Sequence, residues 1–266
     1  MLLKDRVAIV TGGATGIGRA IATKMGEGGA SIVVADMNAD AAQKTAAELT
    51  ASGIKAAAVA TDVTDKAATD RMARTALDRF GRIDILVNNA GIAGAPGWNQ
   101  RSESTEDDWV KTYQVNVLGT VNAANSVIPH MKAERHGKIV NLSSIAGREG
   151  RPSLPHYSAS KAAVISYTQS LANELAKFNI NVNAICPGLL WTPMWEQVGG
   201  RYARDNAAYK GLSPREVFDA MIAERIPNGR EQTPEDIGDA AVFLASEDAR
   251  NITGQALNVD GGFFMR

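Results

Sequence analysis

The stretch VAIVTGGATGIGR, residues 7–19, joins a short apolar run to a glycine-rich turn that opens a helical pattern. Glycines let a backbone approach a pyrophosphate closely, and a helix N-terminus offers unpaired N–H groups with a favourable dipole. The spacing of Gly12, Gly16 and Gly18 departs from the usual GxGxxG, and such a turn can also be only a tight corner between a strand and a helix. Its position directly after an apolar run favours a dinucleotide-binding site.

Six more short apolar runs follow, separated by longer helical patterns. Runs of this length without strict alternation are typical of strands covered on both faces, and strands separated by helices form a parallel sheet. We predict strands at Val7–Val10, Ser31–Ala35, Ala56–Ala60, Ile83–Val87, Lys138–Leu142, Ile180–Ile185 and Ala256–Val259. We predict helices at Gly16–Gly28, Ala39–Thr50, Lys66–Phe80, Glu106–Lys132, Tyr157–Phe178 and Pro234–Ser246. The fold class predicted is α/β, doubly wound, with a parallel seven-stranded sheet and helices on both faces.

The pattern runs without a repeat or a low-complexity linker, so we predict one catalytic domain over residues 1–266. The exception is a long segment, residues 187–232, that has no clear periodicity. Insertions of this length in a domain are usually binding elements. We therefore expect an irregular substrate lid at about 188–232.

Charge and cysteine content limit the partners of the chain. It carries 28 Lys and Arg against 29 Asp and Glu, so no global field attracts nucleic acid or a membrane, and the expected partner is a small molecule. The single Cys186 excludes an internal disulfide framework and favours a reducing compartment. No apolar stretch approaches the roughly 20 residues needed to span a bilayer. We predict a cytoplasmic protein without a metal site.

The second predicted strand is followed by Asp36, about 20 residues after the glycine-rich turn. A carboxylate at this place can accept hydrogen bonds from the ribose hydroxyls of NAD and would repel the 2′-phosphate of NADP. Arg19 offers a cation nearby, although its ordinary role is that of a solvated residue. The prediction is NAD.

Tyr157 precedes Lys161 by four residues, which places both side chains on one face of a helix. A tyrosine with a pKa of about 10 is a poor base at neutral pH unless a nearby positive charge favours its phenolate. Lys161 could supply that charge. Tyr and Lys at this spacing also occur on many solvated helix faces, so the pair is informative only together with other motifs.

The glycine-rich turn, the tetrad Asn88–Gly91, Ser144, Tyr157 and Lys161 follow one another in an order that resembles the classical short-chain dehydrogenase/reductase family. The resemblance extends from Val7 to Gly262 and is greatest to polyol and sugar-alcohol dehydrogenases. It implies a single Rossmann domain that assembles as a homotetramer.

The resemblance implies four catalytic residues. Tyr157 would be the general acid/base, and Lys161 would lower its pKa and hold the nicotinamide ribose. Ser144 would hydrogen-bond the reacting oxygen, because the family's spacing of thirteen residues to the tyrosine falls there; the adjacent Ser143 is the competing candidate. Asn116 would anchor a water that relays protons to the lysine, although it could also be a solvated surface amide.

The resemblance also implies the residues that bind the cofactor. They follow the ends of the predicted strands, with Asp62 a candidate cap of the next helix as well. The set is Gly12, Thr15, Gly16, Ile17, Gly18, Asp36, Asp62, Val63, Asn89, Ala90, Gly91, Tyr157, Lys161, Pro187, Gly188, Leu190 and Thr192.

The substrate would lie against the lid. Indole and phenol rings there offer flat apolar faces with polar edges, which suit carbohydrates and polyols, although they could equally be core beneath the lid. Arginines between Ser144 and Tyr157 could pair with an anionic substrate. The predicted substrate residues are Ser144, Arg148, Trp191, Trp195 and Arg201, with Arg151 and Trp98 as further candidates.

These residues predict an NAD-dependent oxidoreductase that interconverts a secondary alcohol and a ketone in a polyol, sugar or small diol. The alternative is a 3-oxoacyl-thioester reductase using NADPH, against which Asp36 counts. A nucleotide-sensing protein without catalysis would be expected to lack Tyr157 or Lys161, and both are present.

Overall fold

Seven parallel strands form one sheet in the order β3-β2-β1-β4-β5-β6-β7. The structure is a computed structural model that describes residues 1–265. The strands are β1 (Val7–Thr11), β2 (Ser31–Asp36), β3 (Ala56–Ala60), β4 (Ile85–Asn88), β5 (Gly137–Leu142), β6 (Ile180–Pro187) and β7 (Ala256–Val259). The predicted strands are all present, and the fold class is confirmed.

The helices cover both faces of the sheet. They are α1 (Gly16–Glu27), α2 (Ala39–Ala51), α3 (Lys66–Phe80), α4 (Glu106–Tyr113), α5 (Gly119–Glu134), α6 (Pro155–Leu175), α7 (Pro193–Asp205), α8 (Pro214–Arg225) and α9 (Pro234–Ala245). The predicted helix Glu106–Lys132 differs in one respect, because a π-helical turn at Gln114–Leu118 separates α4 from α5.

The first strand shows why the strands are almost continuously apolar. Ala8 and Val10 pack with α1, α2 and α9 on one face, whereas Val7 and Ile9 pack with α3, α5 and α6 on the other. Every residue of β1 is buried. Full burial stabilises each large aliphatic side chain by about 1.5–3 kcal/mol, so a strand covered on both faces selects apolar residues at consecutive positions.

The segment predicted to be irregular, residues 187–232, contains α7 and α8, and that part of the prediction is wrong. Each helix begins with a proline at its first position, after a capping Thr192 or Ser213. The two helices pack through a separate apolar cluster that includes Tyr209, Phe218 and Met221. The two helices bury their apolar residues against each other and against the segment around them. Their hydrophobic pattern therefore differs from that of the helices that pack on the sheet.

The strand order reverses between β1 and β4, which lie side by side although two strands intervene in the chain. In open parallel sheets the crevice at such a switch point, outside the carboxyl ends of the strands, is where ligands bind. Within residues 1–265, no helix is both long enough and apolar enough to cross a membrane.

Candidate active site

A cleft of about 830 Å³ lies across the carboxyl ends of the strands. Each loop that follows β1 to β6 contributes to its wall. All the residues predicted to bind the cofactor line it: Gly12, Thr15, Gly16, Ile17, Gly18, Asp36, Asp62, Val63, Asn89, Ala90, Gly91, Tyr157, Lys161, Pro187, Gly188, Leu190 and Thr192. The sheet therefore collects residues that are widely separated in the sequence into one cleft.

The glycine-rich turn has a backbone that fits a pyrophosphate. Gly12 and Gly16 have positive φ values of 59° and 52°, where other residues are strained. A Cβ on Gly16 would meet nothing within 4 Å, so the backbone there is open to a ligand. A Cβ on Gly18 would instead overlap the Gly12 carbonyl group and the Asn89 side chain. The glycines thus give an open N-terminus of α1 on a tightly packed turn.

Asn89 joins the glycine-rich turn to the loop after β4. Its Nδ2 donates to the carbonyl oxygens of Thr11 and Gly12 at 3.0 and 2.9 Å. In return, the Thr11 hydroxyl accepts from the backbone N–H groups of Asn89 and Ala90 at 3.0 and 3.2 Å. These four hydrogen bonds fix the two loops at the switch point relative to each other.

The Asp36 carboxylate ends β2 at the edge of the cleft. It accepts hydrogen bonds from the backbone N–H groups of Ala14 and Asn38 at 3.2 and 3.0 Å, which hold it beside the glycine-rich turn. Arg19, the cation that the sequence places nearby, forms an ion pair with Glu48 at 2.8 Å and does not line the cleft.

Asp62 lies in the loop after β3. Its carboxylate accepts from the N–H and hydroxyl groups of Thr64 at 2.9 and 2.8 Å. The N-cap of α3 is Asp65, whose side chain accepts a hydrogen bond from Ala67 N–H. Asp62 therefore does not have its alternative role as the cap of this helix.

Tyr157 and Lys161 lie one turn apart near the start of α6 and both line the cleft. The Lys161 ammonium lies 5.7 Å from the centroid of the Tyr157 ring and donates to the Leu142 carbonyl oxygen at 2.8 Å. Lys161 is only 5% exposed, and this burial lowers its pKa to about 8. A buried ammonium aimed at the end of β5 is not the solvated lysine of an ordinary helix face.

The sequence predicts that Lys161 lowers the pKa of Tyr157. For the protein without a bound ligand this prediction is wrong. Burial raises the pKa of Tyr157 to about 12, and a hydrogen bond with the Ser144 side chain opposes this rise only in part. Lys161 does not reverse the shift, because its ammonium donates to the Leu142 carbonyl oxygen and lies 5.7 Å from the centroid of the ring. Without a ligand, Tyr157 is therefore a proton donor at neutral pH.

The two adjacent serines have different partners. Ser143 is buried and its hydroxyl donates to the Lys161 carbonyl oxygen at 2.8 Å. Ser144 caps the short turn Ile145–Gly147, where its hydroxyl oxygen accepts from Ala146 N–H at 3.1 Å, and it also hydrogen-bonds the Tyr157 side chain. The geometry thus favours Ser144 over Ser143 as the hydroxyl beside Tyr157.

Asn116 lies in the π-helical turn and is 1% exposed, so it is not a surface amide. Its Oδ1 accepts from Ile92 N–H at 2.8 Å, and its Nδ2 donates to the Ile92 carbonyl and the Ser160 hydroxyl at 2.9 and 3.0 Å. Single π-helical turns are often found at functional sites. Asn116 connects the loop after β4 with α6 one residue before Lys161.

The structure places Ser144 and Trp195 of the predicted substrate residues in the cleft wall. Both Trp191 and Trp195 pack edge to face on Phe218 in the apolar cluster of α7 and α8, as their alternative role predicts, and Trp191 does not line the cleft. Arg201 is buried and donates to the Ser102 carbonyl oxygen at 2.6 Å.

Arg148 is also directed away from the cleft. Its guanidinium donates to the Ala256 carbonyl oxygen and to Asn258 in β7. Trp98 is buried behind the cleft wall, packed with Leu154 and Ala93. His156, the residue before Tyr157, hydrogen-bonds the Ser104 hydroxyl and the Ala93 carbonyl oxygen through its two ring nitrogens.

Several cleft residues have no signal in the sequence that marks them as part of the site. They come from the loop before α6, from α7 and α8, and from the turn after β7. They are Ser153, Leu154, Met194, Val198, Met221 and Phe263.

Comparisons with known proteins identify the family of the chain. Residues 12–264 match a family model described as enoyl-(acyl carrier protein) reductase. The chain is 42% identical over 267 residues to a sorbitol dehydrogenase of Cereibacter sphaeroides, covering 100% of both chains. It is 38% identical over 262 residues to (2S)-[(R)-hydroxy(phenyl)methyl]succinyl-CoA dehydrogenase subunit BbsD of Thauera aromatica, covering 98% of both.

The crystal structure of an NAD⁺-bound xylitol dehydrogenase superposes with a TM-score of 0.91 at 33% identity, over 98% of this chain and 100% of that one. The chain belongs to the short-chain dehydrogenase/reductase family, which confirms the resemblance drawn from the five motifs. It is an oxidoreductase of this family.

Proposed function

We propose that the protein is an NAD-dependent oxidoreductase that interconverts a secondary alcohol and a ketone in a polyol, sugar or small diol. The observation that carries the proposal is the convergence of Ser144, Tyr157 and Lys161 on one cleft with the glycine-rich turn. The named substrates of the sorbitol and xylitol dehydrogenases support the polyol class.

The roles follow from hydrogen-bonding capacity. In reduction, the Tyr157 hydroxyl gives its proton to the carbonyl oxygen, and the Ser144 hydroxyl donates to the same oxygen. In oxidation, the Tyr157 phenolate takes the proton of the alcohol. A nicotinamide cofactor, when bound, accepts or supplies the hydride. A positioned acid/base contributes about 10²–10⁴ in rate, because charge on the oxygen changes as the C–H bond breaks or forms.

Lys161 and Asn116 support the reacting groups. The Lys161 ammonium stabilises the phenolate when it forms and would hold the nicotinamide ribose, and Asn116 would anchor a water on the proton path to that lysine. The buried positions of both residues and the contact of Asn116 with Ser160, next to Lys161, support these roles.

NAD rather than NADP is supported by Asp36, whose carboxylate is fixed beside the turn and has no arginine partner there among the described ion pairs. A 2′-phosphate at this place would meet a negative charge in a partly closed cleft. The NAD⁺ in the xylitol dehydrogenase crystal structure agrees with this choice.

We further propose a cytoplasmic homotetramer. Exposed apolar side chains support association through α4 and the helical turn after it, since Trp109, Tyr113 and Leu118 are 44–48% exposed. Light scattering at micromolar concentration should give the mass of four chains, and a monomer mass would contradict this.

The test is a spectrophotometric screen of polyols, sugars, diols and 3-hydroxyacyl thioesters with NAD and NADP. We expect NAD-dependent oxidation of polyols or diols, reduced about 10²–10⁴-fold in Tyr157→Phe. Tyr167→Phe is the matched control, because Tyr167 lies on the same helix outside the cleft. Activity only on 3-hydroxyacyl thioesters with NADP would establish the alternative, and near wild-type turnover in Tyr157→Phe would refute the acid/base assignment.

A further inference from the structure

The substrate end of the cleft contains a cation that the proposed reaction does not use. Arg151 lies in the loop between Ser144 and α6 and lines the cleft. The other cleft arginine candidate from the sequence, Arg148, is bonded to β7 instead. Of these two arginines, only Arg151 can therefore face a bound substrate.

Both the backbone and the guanidinium of Arg151 are held in place. Its backbone N–H donates to the Ser158 hydroxyl at 3.1 Å, and its carbonyl oxygen accepts from Leu154 N–H at 3.0 Å. Its guanidinium carbon lies 5.0 Å from the centroid of the Phe263 ring, a stacking geometry for arginine. A cation held in this way loses little conformational entropy when it binds a ligand.

The aromatic platform is itself held in place. The Asp260 carboxylate accepts from the N–H groups of Gly262 and Phe264 at 3.0 and 2.8 Å, which fixes the turn that carries Phe263. Phe263 also packs against the apolar cluster of α7 and α8 that includes Phe218 and Met221. The ring beside the guanidinium is thus held by the turn after β7 and by this cluster together.

The charge of Arg151 is only weakly neutralised. In the described part of the chain its ion pair is with Glu149 at 3.3 Å, and the Glu149 side chain is 53% exposed. Such a solvated pair contributes about 0–1 kcal/mol, so a ligand carboxylate can replace it. The carboxylates among the described lining residues are Asp36, at the end of β2, and Asp62, in the loop after β3, both at the cofactor end.

The surroundings of Arg151 favour a charged ligand group over a hydroxyl. Apolar residues such as Leu154, Met194 and Phe263 line this end of the cleft, where low polarity strengthens an ion pair. A guanidinium offers paired N–H donors that match the two oxygens of a carboxylate. A neutral polyol would displace water from the guanidinium without supplying the opposite charge that compensates for this loss.

We propose that Arg151 binds a carboxylate of the substrate, so that among the secondary alcohols that the enzyme oxidises, hydroxy acids are preferred to their neutral counterparts. This rests on the proposed function. Ser144 and Tyr157 would hold the reacting oxygen while Arg151 holds the acid group, and Arg151 is a specificity-determining residue without a part in proton transfer.

The experiment compares two matched pairs with NAD, in which a carboxylate replaces a terminal CH₂OH group: 1,3-butanediol with 3-hydroxybutanoate, and sorbitol with gluconate. For at least one pair we expect a higher kcat/KM for the acid. Arg151→Gln should lower kcat/KM for that acid about 10- to 100-fold, mainly through KM, and change the neutral partner less than about 3-fold. Arg151→Lys, which keeps the charge without the fork of donors, should fall between Arg151→Gln and the wild type.

Two further variants test the physical basis. Glu149→Gln removes the competing carboxylate and should raise kcat/KM for the acid up to about 5-fold. Arg74→Gln, at an exposed position of α3 away from the cleft, is the control for net charge and should change neither substrate.

The outcomes separate this inference from the proposed function. One outcome is that the neutral compounds are oxidised and the ratio of kcat/KM for the acid to kcat/KM for its neutral partner is the same in the wild type and in Arg151→Gln. This result would overturn the role of Arg151 and leave the proposed function intact. Oxidation of the diol and the polyol without any oxidation of the acids would do the same. Absence of NAD-dependent oxidation of every secondary alcohol in the wider screen would overturn both.

Discussion

Replacement of Lys161 by methionine should stabilise the protein at neutral pH while it abolishes turnover. The Lys161 ammonium is 5% exposed and has the Leu142 carbonyl oxygen as its partner at 2.8 Å. No carboxylate pairs with it among the described ion pairs, which is why burial lowers its pKa to about 8. The fold thus holds a charge that would be better solvated in the unfolded chain, a cost that the uncharged methionine side chain would not have.

The size of the expected stabilisation follows from the pKa shift of Lys161. Lowering a lysine pKa from 10.5 to about 8 costs about 3 kcal/mol at pH 7. Methionine removes this cost but also removes the hydrogen bond to Leu142, which we set at about 1–2 kcal/mol. The net gain is about 1–2 kcal/mol, or about 2–4 °C in Tm for a chain of this length.

The pH dependence has a definite sign. Below pH 8 the lysine is protonated in both the folded and the unfolded state, so the wild type carries the full cost. Between pH 8 and 10.5 the folded protein releases the proton first, and the cost declines as the pH rises. The advantage of Lys161→Met over the wild type should therefore shrink by about 1.4 kcal/mol from pH 7 to pH 9. Tyr157, whose pKa is raised from 10.0 to about 12, stays mainly protonated between pH 7 and pH 9 in both the folded and the unfolded state.

The assay is thermal and urea unfolding of the wild type, Lys161→Met and Lys44→Met at pH 7, 8 and 9, at one protein concentration because assembly affects stability. Lys44 is exposed on α2 and serves as the control for loss of a positive charge. If Lys161→Met is no more stable than Lys44→Met at pH 7, or if its advantage persists unchanged to pH 9, the ammonium is not desolvated and the reasoning fails.

Three further changes test the cofactor end and the buried polar core. Asp36→Ala should shift the ratio of kcat/KM for NAD over NADP by about tenfold or more towards NADP, measured by steady-state kinetics; an unchanged ratio would contradict the role of this carboxylate. Gly18→Ala should weaken cofactor binding in a fluorescence titration, whereas Gly53→Ala, at a position outside the cleft, should not. Thr168→Val removes the acceptor of Asn141 Nδ2 at 2.9 Å and should cost about 1–3 kcal/mol in urea unfolding.

The sheet and the cofactor end of the cleft could be predicted from the sequence because both are determined by the conformation and burial of the backbone. A strand buried on two faces must be apolar at consecutive positions, as β1 is, and Gly16 must be glycine because φ is +52° there. The carboxyl ends of parallel strands meet at one edge, so strand order alone brings Asp36, Asn89 and Ser144 together.

The segment of residues 187–232 was harder to predict because its helices depend on tertiary partners. Phe218 and Tyr209 are buried only when α7 and α8 pack on each other, and the sequence around them has no continuous apolar run. The proline that begins each helix was the usable signal. The reversed direction of the Tyr157 pKa has a similar origin, since four-residue spacing gives the face of a helix but not the partner or the burial of Lys161.

The contrast between Arg148 and Arg151 shows why substrate preference is the least predictable part of such a site. The two residues are three positions apart in the same loop, yet one bonds to β7 and the other stacks on Phe263 in the cleft. Local sequence does not separate them, because the deciding contacts come from residues more than 100 positions later. Changes at Phe263 can therefore alter what the cleft accepts without altering Tyr157, Ser144 or the fold, so the same hydride-transfer site can serve different alcohols.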